Sequence, residues 1–322
     1  MISANSLYRK LRFPFKLTHA ALKYPRASAR VRQYKVLSPE QTIDLLLNND
    51  HLSISRYGDG ELEMTLFKNI GFQAFDERLS IRLKEILRRG VNHNPSCLLC
   101  LPDAFRSTRH MRFGSALFWF FHKAFCFLRY EPLLSKKYCY GNTSVTRPYH
   151  DYKDKTSSAV IFAKFQQLFK NKKILIVEGS GTRLGMGNDL LAGAGEIKRI
   201  TTLNRNAFSV YNDLYSAVLA HGRYFDMVLI SLGPTATVLA YDLSQQGIRC
   251  IDSGHIDIEY EWMRSAARDK VQVAGKNVNE VGVLLSDEVI DPDEHYRSQI
   301  LQHVGMTPEA VPTPSPLRQP IV

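Results

Sequence analysis

The stretch KILIVEGSGTRLGMGND, residues 173–189, decides the fold class of this 322-residue chain. Its apolar run from Ile174 to Val177 is typical of a strand buried on both faces of a sheet. Four glycines then follow between residues 179 and 187, and they predict a loop with a short helix after it, around Asp189. A buried strand that ends in a glycine-rich loop is typical of parallel α/β sheets, in which ligands bind at the carboxyl ends of the strands.

The rest of the chain repeats this alternation of apolar strands and helices. In the second half, strands are predicted at residues 197–203, 227–232 and 248–252, and helices at 208–220, 233–246 and 258–268. In the first half, strands are predicted at residues 51–56, 97–101 and 138–142, and a long aromatic helix at 109–129. Strands that alternate with helices of this length indicate β-α-β units. The sequence therefore predicts an α/β fold with a mostly parallel sheet and helices on both faces.

The net charge of +11 is concentrated in the N-terminal segment. Residues 1–35 contain nine Lys or Arg, and the first acid is Glu40. Such a segment, dotted with aromatic side chains, could lie on an anionic membrane, remain solvated and partly disordered, or contact nucleic acid. We predict a basic arm at residues 1–37, a main domain at 38–270, an extension at 271–306 and a disordered, Pro-rich tail at 307–322.

The five cysteines indicate a reducing compartment, because their number is odd and their spacing is not that of a disulfide framework. Cys97 and Cys100 form a CxxC within a predicted strand, where positions i and i+3 point to opposite faces and cannot share a zinc ion. The basic N-terminus lacks the apolar region of a signal peptide. These features predict a cytoplasmic protein, with contact on the inner face of the cell membrane as an option.

A pair of carboxylates follows the first predicted strand, in Arg56-Tyr57-Gly58-Asp59-Gly60-Glu61. Two carboxylates two residues apart on a turn can reach one hard divalent cation, and such a cation also takes phosphate oxygens. The alternative is that Asp59 caps the next helix, while Glu61 and Glu63 favour its positive end.

Two other predicted strand ends have the features of phosphate sites. In the glycine-rich loop, backbone N–H groups could approach a phosphate, and Arg183 could add a bidentate contact. Gly233 to Thr237 places the hydroxyls of a helix N-terminus at a strand end. A tight turn and a capped helix, respectively, are the alternatives.

The last strand end carries acids and a histidine, in DSGHIDIEYEW at residues 252–262. Asp257 and Glu261, at i and i+4 of a helix, would share one face, while Glu259 would point elsewhere. These side chains are candidates for catalysis or binding, and an acid-rich first helical turn is the alternative.

Together these segments resemble the GT-D glycosyltransferases, a bacterial family once known as a domain of unknown function, which includes enzymes that glycosylate serine-rich adhesins. The resemblance covers roughly residues 40–270. It is carried by SRYGDGE at 55–61, YGNTSVTRPY at 140–149, ILIVEGSGTRLGMGND at 174–189, LISLGPTATVLAYDL at 229–243 and DSGHIDIEYEW at 252–262.

The resemblance implies a Rossmann-like sheet of the GT-D type and transfer of a sugar, glucose being one candidate, from a UDP-sugar to a glycan, glycoprotein or lipid-linked acceptor. It implies Mn²⁺ or Mg²⁺ at Asp59 and Glu61, and no nucleic acid partner. The residues then expected at the nucleotide sugar are Arg56, Gly58, Asn142, Arg147, Glu178, Gly179, Arg183, Gly185, Asn188, Asp189, Gly233 and Thr235.

Catalysis in this scheme requires a base near the acceptor hydroxyl. Since Asp59 and Glu61 are assigned to the metal, the remaining acids are Asp257, Glu259 and Glu261. We predict Glu261 as the base and Asp257 as second choice, with His255 as an orienting or phosphate-contacting group.

Two other functions account for part of the sequence. Glu178 to Gly181 superficially matches the first motif of an S-adenosylmethionine-dependent methyltransferase, but Asn204 and Arg205 follow the next strand where an acid should hold the ribose. A non-catalytic, basic membrane- or nucleic-acid-binding module accounts for residues 1–35 and leaves the other segments without a role.

Overall fold

A nine-stranded sheet forms the centre of the molecule, which is described here from a computed structural model. The structure describes residues 4–278, 281 and 293–305. The strand order is β1-β4-β3-β2-β8-β7-β5-β6-β9, and all of these neighbours pair in parallel. The strands are β1 (Lys35–Val36), β2 (Ser53–Arg56), β3 (Cys97–Leu101), β4 (Cys139–Asn142), β5 (Lys173–Gly179), β6 (Glu196–Thr202), β7 (Met227–Ser231), β8 (Cys250–Asp252) and β9 (Ile300–Val304).

Twelve α-helices surround this sheet within the described residues. They are α1 (Ala4–Val31), α2 (Pro39–Leu47), α3 (Asp59–Met64), α4 (Glu77–Glu85), α5 (Val91–His93), α6 (Phe113–His122), α7 (Leu128–Tyr130), α8 (Thr156–Phe169), α9 (Tyr211–Gly222), α10 (Pro234–Ser244), α11 (Ile256–Arg264) and α12 (Glu294–Gln299). Two π-helices, Ile86–Gly90 and Lys123–Phe127, and four short 3-10 helices, Asp103–Phe105, Glu131–Leu133, Thr143–Thr146 and Ala207–Val210, complete the elements.

The strands are apolar on both faces because helices cover both faces of the sheet. In β5, Ile174 and Ile176 pack against α2, α8 and α11, whereas Leu175 and Val177 pack against α9 and α10. Near the other edge, the sheet is covered by α1, α3, α4 and α6. The predicted α/β class, with a parallel sheet and helices on both faces, is therefore confirmed.

The two cysteines of the CxxC lie on opposite faces of β3, as its alternation predicts. Cys97 joins the core beneath α4 and α6, and Cys100 joins the core beneath α2 and α8. Within the described residues all five cysteines are free thiols.

Two helix predictions were wrong. No helix forms around Asp189: residues 180–193 make a series of turns, because Arg183, Gly185 and Gly187 have positive φ angles that interrupt helical hydrogen bonding. The long helix expected at residues 109–129 is shorter and is interrupted by the π-helix at Lys123–Phe127. The sequence analysis also had no counterpart for α8, α12 and β9.

The N-terminal segment and the C-terminal extension both contact the main body. Helix α1 buries Ala20, Ala27 and Val31, and its closest neighbours are α6 and the following π-helix. Strand β9 pairs with β6 and extends the sheet beyond residue 270. The tail predicted at residues 307–322 lies outside the described residues. No described helix is both long and apolar enough to cross a bilayer.

Candidate functional site

A cleft of 550 Å³ opens at the carboxyl ends of the strands. Seven of the predicted site residues line it: Arg56, Gly58, Asp59, Glu61, Arg147, Gly233 and His255. An adjoining pocket of 80 Å³ shares Gly233 and His255 with the cleft and is also lined by Gly179 and Asp257. The parallel sheet thus brings residues from all four predicted strand ends to this cleft and the adjoining pocket.

The two carboxylates of the Asp-x-Glu pair lie in the first turn of α3, facing the cleft. The Gly58 N–H donates to Glu61 Oε2 at 2.8 Å, which fixes that carboxylate. Burial, with the nearby charges of Asp252 and Asp59, raises the pKa of Glu61 to about 7. A bound cation would relieve this crowding of negative charge. Carboxylate oxygens are also the ligands that Mg²⁺ and Mn²⁺ prefer, so the Asp59–Glu61 pair fits a divalent metal.

Asp252, the last residue of β8, is a cleft residue that the predicted site set did not include. Its carboxylate accepts hydrogen bonds from the Arg56 backbone N–H at 3.0 Å, from Arg56 Nη1 at 3.2 Å and from Thr237 Oγ1 at 3.2 Å. Burial nevertheless raises its pKa. The sequence does show that Asp252 ends a predicted strand. It does not show that β8 pairs with β2, and this pairing is what places Asp252 beside the Asp-x-Glu pair.

A glycine allows this arrangement of Arg56 and Asp252. Gly254 has a φ of +49°, and a Cβ atom placed on it would lie 1.9 Å from Arg56 Nη1. Arg56 is further held by its Nε, which donates to the Thr143 carbonyl at 3.1 Å. The guanidinium is therefore fixed at the floor of the cleft.

The glycine-rich loop directs most of its polar groups to other parts of the protein. Glu178 is fully buried, with Oε1 accepting from Arg199 Nη1 at 2.6 Å and from the Tyr296 hydroxyl at 2.9 Å. Its Oε2 accepts from the Leu184 N–H at 2.8 Å. Arg183 donates to Asp293 at 2.7 Å, on the C-terminal extension. Neither side chain lines the cleft or the adjoining pocket.

The acids of α11 also make structural contacts. Asp257 accepts from the Gly185 N–H at 2.9 Å and from Asn188 at 2.7 Å. Glu261 accepts from the same amide group at 2.8 Å. The buried ammonium of Lys276 donates to both carboxylates, at 2.6 and 3.3 Å. As predicted, Asp257 and Glu261 share one helix face, but Glu261 does not line the cleft.

Glu259 points to the other side of the helix and holds the chain after β4. Its Oε2 accepts from the backbone N–H groups of Tyr149 at 3.0 Å and His150 at 2.8 Å. Arg147 Nε lies 3.7 Å from its Oε1. Burial raises the pKa of Glu259 to about 7. Glu259 thus lies behind the cleft and positions the segment that carries Arg147.

Three further predicted residues lie outside the cleft lining. Asn142 donates to the Leu37 carbonyl and to Asp103, each at 2.8 Å. Asp189 accepts from the Tyr260 hydroxyl at 2.9 Å. Thr235 is fully buried in the first turn of α10. The structure does not bring these three side chains to the carboxylate pair.

One wall of the cleft was missed by the sequence analysis. It combines the apolar Met111, Phe118 and Trp119 with polar side chains, of which Asp151 is held by a hydrogen bond from Ser115 at 2.8 Å. Its aromatic richness was visible, but a helix that is apolar around much of its circumference does not reveal which side faces a ligand.

Known proteins support a single family for this architecture. The model of the family described as "Glycosyltransferase GT-D fold" matches residues 54–281. The chain is similar to a probable glycosyl transferase, Gly, of Streptococcus gordonii, with 38% identity over 292 residues that cover 91% of this chain and 42% of that protein. It spans less than half the length of the curated relatives it matches.

Solved structures agree with this match. One, described as a domain of unknown function 1792 with a distinct glycosyltransferase fold, has 33% identity and a TM-score of 0.80, covering 87% of this chain and 99% of that one. A second, described as a new glycosyltransferase from Streptococcus sanguinis, has 39% identity and a TM-score of 0.73, covering 84% and 99%.

Proposed function

Because the chain belongs to the glycosyltransferase GT-D fold family, we propose that it transfers a sugar from a UDP-sugar donor to a glycan, glycoprotein or lipid-linked acceptor. The observation that carries the proposal is the convergence of Asp59, Glu61 and Asp252 in one cleft at the carboxyl ends of the strands. Family membership leaves the methyltransferase and non-catalytic alternatives without support. The transferred sugar is taken to be a hexose, with glucose as the first donor to test.

We assign Mn²⁺ or Mg²⁺ to Asp59 and Glu61. When bound, such an ion supplies positive charge that neutralises the departing diphosphate. The protein's own contribution is to hold Glu61 through the Gly58 N–H and to hold Asp252 beside it through Arg56. These fixed contacts preorganise the negative charge before a donor arrives.

The donor nucleotide is assigned to the junction between the cleft and the adjoining pocket. Gly233 and His255 line both cavities, and Gly179 lines the smaller one. His255 also lies at the N-terminal end of α11, where the helix dipole favours an anionic phosphate. The buried Glu178 and the loop residues Gly185 and Asn188 then act as supports for this junction.

For the general base we now place Asp151 before Glu261. An acid that accepts the acceptor's proton must come within hydrogen-bond reach of the hydroxyl. Asp151 lines the cleft beside the aromatic wall, whereas Glu261 lies outside the lining and accepts hydrogen bonds from Asn188 and Lys276. Glu261 and Asp257 remain the alternatives.

Peripheral contact with an anionic membrane is proposed for α1. Phe15 and Leu22, seven residues apart and therefore on one helix face, are 79% and 77% exposed. Residues 1–35 carry nine basic side chains and no acid, a charge that suits anionic lipid headgroups.

Thermal and equilibrium unfolding with ligands tests the main proposal. UDP with Mn²⁺, at about one hundred times its Kd, should stabilise the protein by about 2.7 kcal/mol, whereas S-adenosylmethionine should not. Sugar transfer from a panel of UDP-sugars should cease in excess EDTA and return with added Mn²⁺. Full transfer activity in excess EDTA would exclude the metal, and stabilisation by S-adenosylmethionine alone would exclude the donor class.

A further inference from the structure

Three side chains with metal-ligating atoms meet behind α3, outside the cleft lining. Glu63 lies near the end of α3, His122 ends α6, and Cys126 lies in the π-helix that follows. Their carboxylate, imidazole and thiol atoms all lie within 4.8 Å of one another, the one such group of three within the described ranges. A π-helical turn is often found at functional sites, and here it places the Cys126 sulfur beside the other two groups.

The His122 ring is buried, with one nitrogen near a tyrosine hydroxyl and the other facing Glu63. It is 4% exposed, and its Nε2 lies 3.2 Å from the Tyr130 hydroxyl. Its other nitrogen, Nδ1, is buried without a hydrogen-bond partner and lies 3.7 Å from Glu63 Oε1. A buried imidazole nitrogen normally has a partner, so an unpaired one that faces a carboxylate and a thiol is suited to bind a metal ion.

We propose that Glu63, His122 and Cys126 bind a borderline divalent transition-metal ion of the Zn²⁺ class. In tetrahedral zinc sites with bonds of about 2.0 Å to nitrogen and oxygen and about 2.3 Å to sulfur, ligand atoms lie roughly 3.3–3.5 Å apart. The Cys126 Sγ to Glu63 Oε1 distance is 3.8 Å, and the His122 to Glu63 distance is 3.7 Å. Both distances to Glu63 are therefore within a few tenths of an ångström of those in a zinc site, and all three ligand atoms lie within 4.8 Å of one another.

The three ligands leave a fourth position for water and distinguish this site from the Asp59–Glu61 pair. Thiolate and imidazole select Zn²⁺ or Co²⁺, whereas a set of carboxylates alone suits Mg²⁺ or Mn²⁺. Binding releases the Cys126 thiol proton to solvent as the sulfur–metal bond forms. The site would link α3, which carries the cleft carboxylates, to the end of α6 and the π-helix that follows it. The proposal of this site does not depend on the proposed sugar transfer.

A lysine currently supplies the positive charge at this position. Lys68 Nζ lies 3.0 Å from Glu63 Oε1 and 3.4 Å from Cys126 Sγ. Its side chain is 38% exposed, so it can swing into solvent when a doubly charged ion enters. Lys68 should therefore compete with the metal, and its removal should strengthen binding.

Co²⁺ titration of the full chain tests the site, because thiolate-bound Co²⁺ gives a charge-transfer absorption that oxygen ligands do not give. The wild type should show this band and lose it on addition of Zn²⁺. Cys126→Ser should abolish the band, while Cys139→Ser, at an exposed cysteine on β4, should keep it. Glu61→Gln should also keep it, which separates this site from the Asp59–Glu61 pair.

Two further variants test the site even if one of the substituted proteins fails to fold. His122→Asn should abolish the band even if Cys126→Ser unfolds, and Lys68→Met should lower the half-saturating Co²⁺ concentration by about tenfold, since a nearby like charge is removed. Absence of the band in the wild type, or a band unchanged in Cys126→Ser or His122→Asn, overturns the proposal.

Discussion

The end of β2 and the end of β5 both carry polar, glycine-rich sequences, yet the structure uses them differently. At β2, the carboxylates of Asp59 and Glu61 face a cleft, and Asp252 crowds negative charge beside them. At β5, the carboxylate of Glu178 is surrounded by donors from Arg199, Tyr296 and the loop itself. The comparison teaches that a glycine-rich strand end does not by itself identify a ligand site, because the acids at one end line a cleft whereas the acid at the other is enclosed by donors of the protein.

Removal of the cleft carboxylates should have the largest effect. Asp59→Ala and Glu61→Ala should each lower sugar transfer by about a thousandfold or more, because metal neutralisation of a leaving diphosphate is worth several kcal/mol. Transfer is measured with a UDP-sugar at saturating Mn²⁺, and circular dichroism checks the fold. Glu77→Ala, an exposed first-turn acid of α4, is the matched control and should transfer sugar at the wild-type rate. Wild-type rates in both cleft variants would remove the metal assignment.

Removal of the β5 carboxylate should instead affect stability. Glu178→Ala leaves the buried Arg199 without its charge partner, which typically destabilises a protein by about 3–5 kcal/mol. Urea denaturation measures the loss. Asp189→Ala, whose acid on the same loop is 60% exposed, should change the free energy of unfolding by less than about 1 kcal/mol. A stable Glu178→Ala variant that fails to bind UDP would show that this acid serves the ligand after all.

The cleft and the cluster around Asn188 and Lys276 supply competing candidates for the base. Asp151→Asn should lower the transfer rate by about two orders of magnitude or more with little change in UDP affinity, as expected for loss of a general base. Glu261→Gln, at the Asn188–Lys276 cluster, should change the rate far less. Single-turnover rates and UDP titrations separate the chemical step from binding. The reverse result, a normal Asp151→Asn and a slow Glu261→Gln, would return the role to Glu261.

These contrasts mark what the sequence could predict. The parallel sheet followed from apolar runs such as Ile174 to Val177, since only strands covered on both faces are apolar at successive positions. The cleft location of Asp59 and Glu61 followed from their place at a strand end. The partners of Glu178 could not be predicted, because Tyr296 lies 118 residues away along the chain. Strand β9, with Leu301, Gln302 and His303 partly or fully exposed, lacked the apolar pattern of a central strand.

Glu259, which also lies behind the cleft, should produce a pH effect on stability. Because burial raises its pKa from about 4.5 to about 7, the folded state holds a proton that the unfolded state releases. The free energy of unfolding should therefore fall, through this group, as the pH rises from 4.5 to 7, by on the order of 2 kcal/mol. Glu259→Gln keeps the acceptor for Tyr149 and His150 and should remove that part of the slope.

The measurement is urea denaturation of both proteins at several pH values, and the quantity of interest is their difference in unfolding free energy. The buried His122 and the half-buried His150, whose pKa values desolvation lowers to about 4, act in the opposite sense and are present in both proteins, so the difference is expected to report Glu259. Parallel pH profiles for the wild type and Glu259→Gln would contradict the assignment.

The smallest expected effect concerns α1, whose outer face exposes Phe15 and Leu22 to solvent. Deletion of the whole segment would be a poor test, since its inner face covers Phe121 and Phe125 through Lys16 and Lys23. Phe15→Ser with Leu22→Ser changes only the exposed face and should weaken binding to anionic liposomes by about tenfold, as expected for apolar side chains that insert only partly.

Sedimentation with vesicles at low salt measures the binding, and Val160→Ser, an exposed apolar residue on α8, is the matched control. Since no described side chain of α1 lines the cleft, donor hydrolysis should be unchanged. Equal binding by the wild type and the double variant, or binding that persists with neutral vesicles, would mean that the basic, apolar face of α1 does not contact anionic lipid.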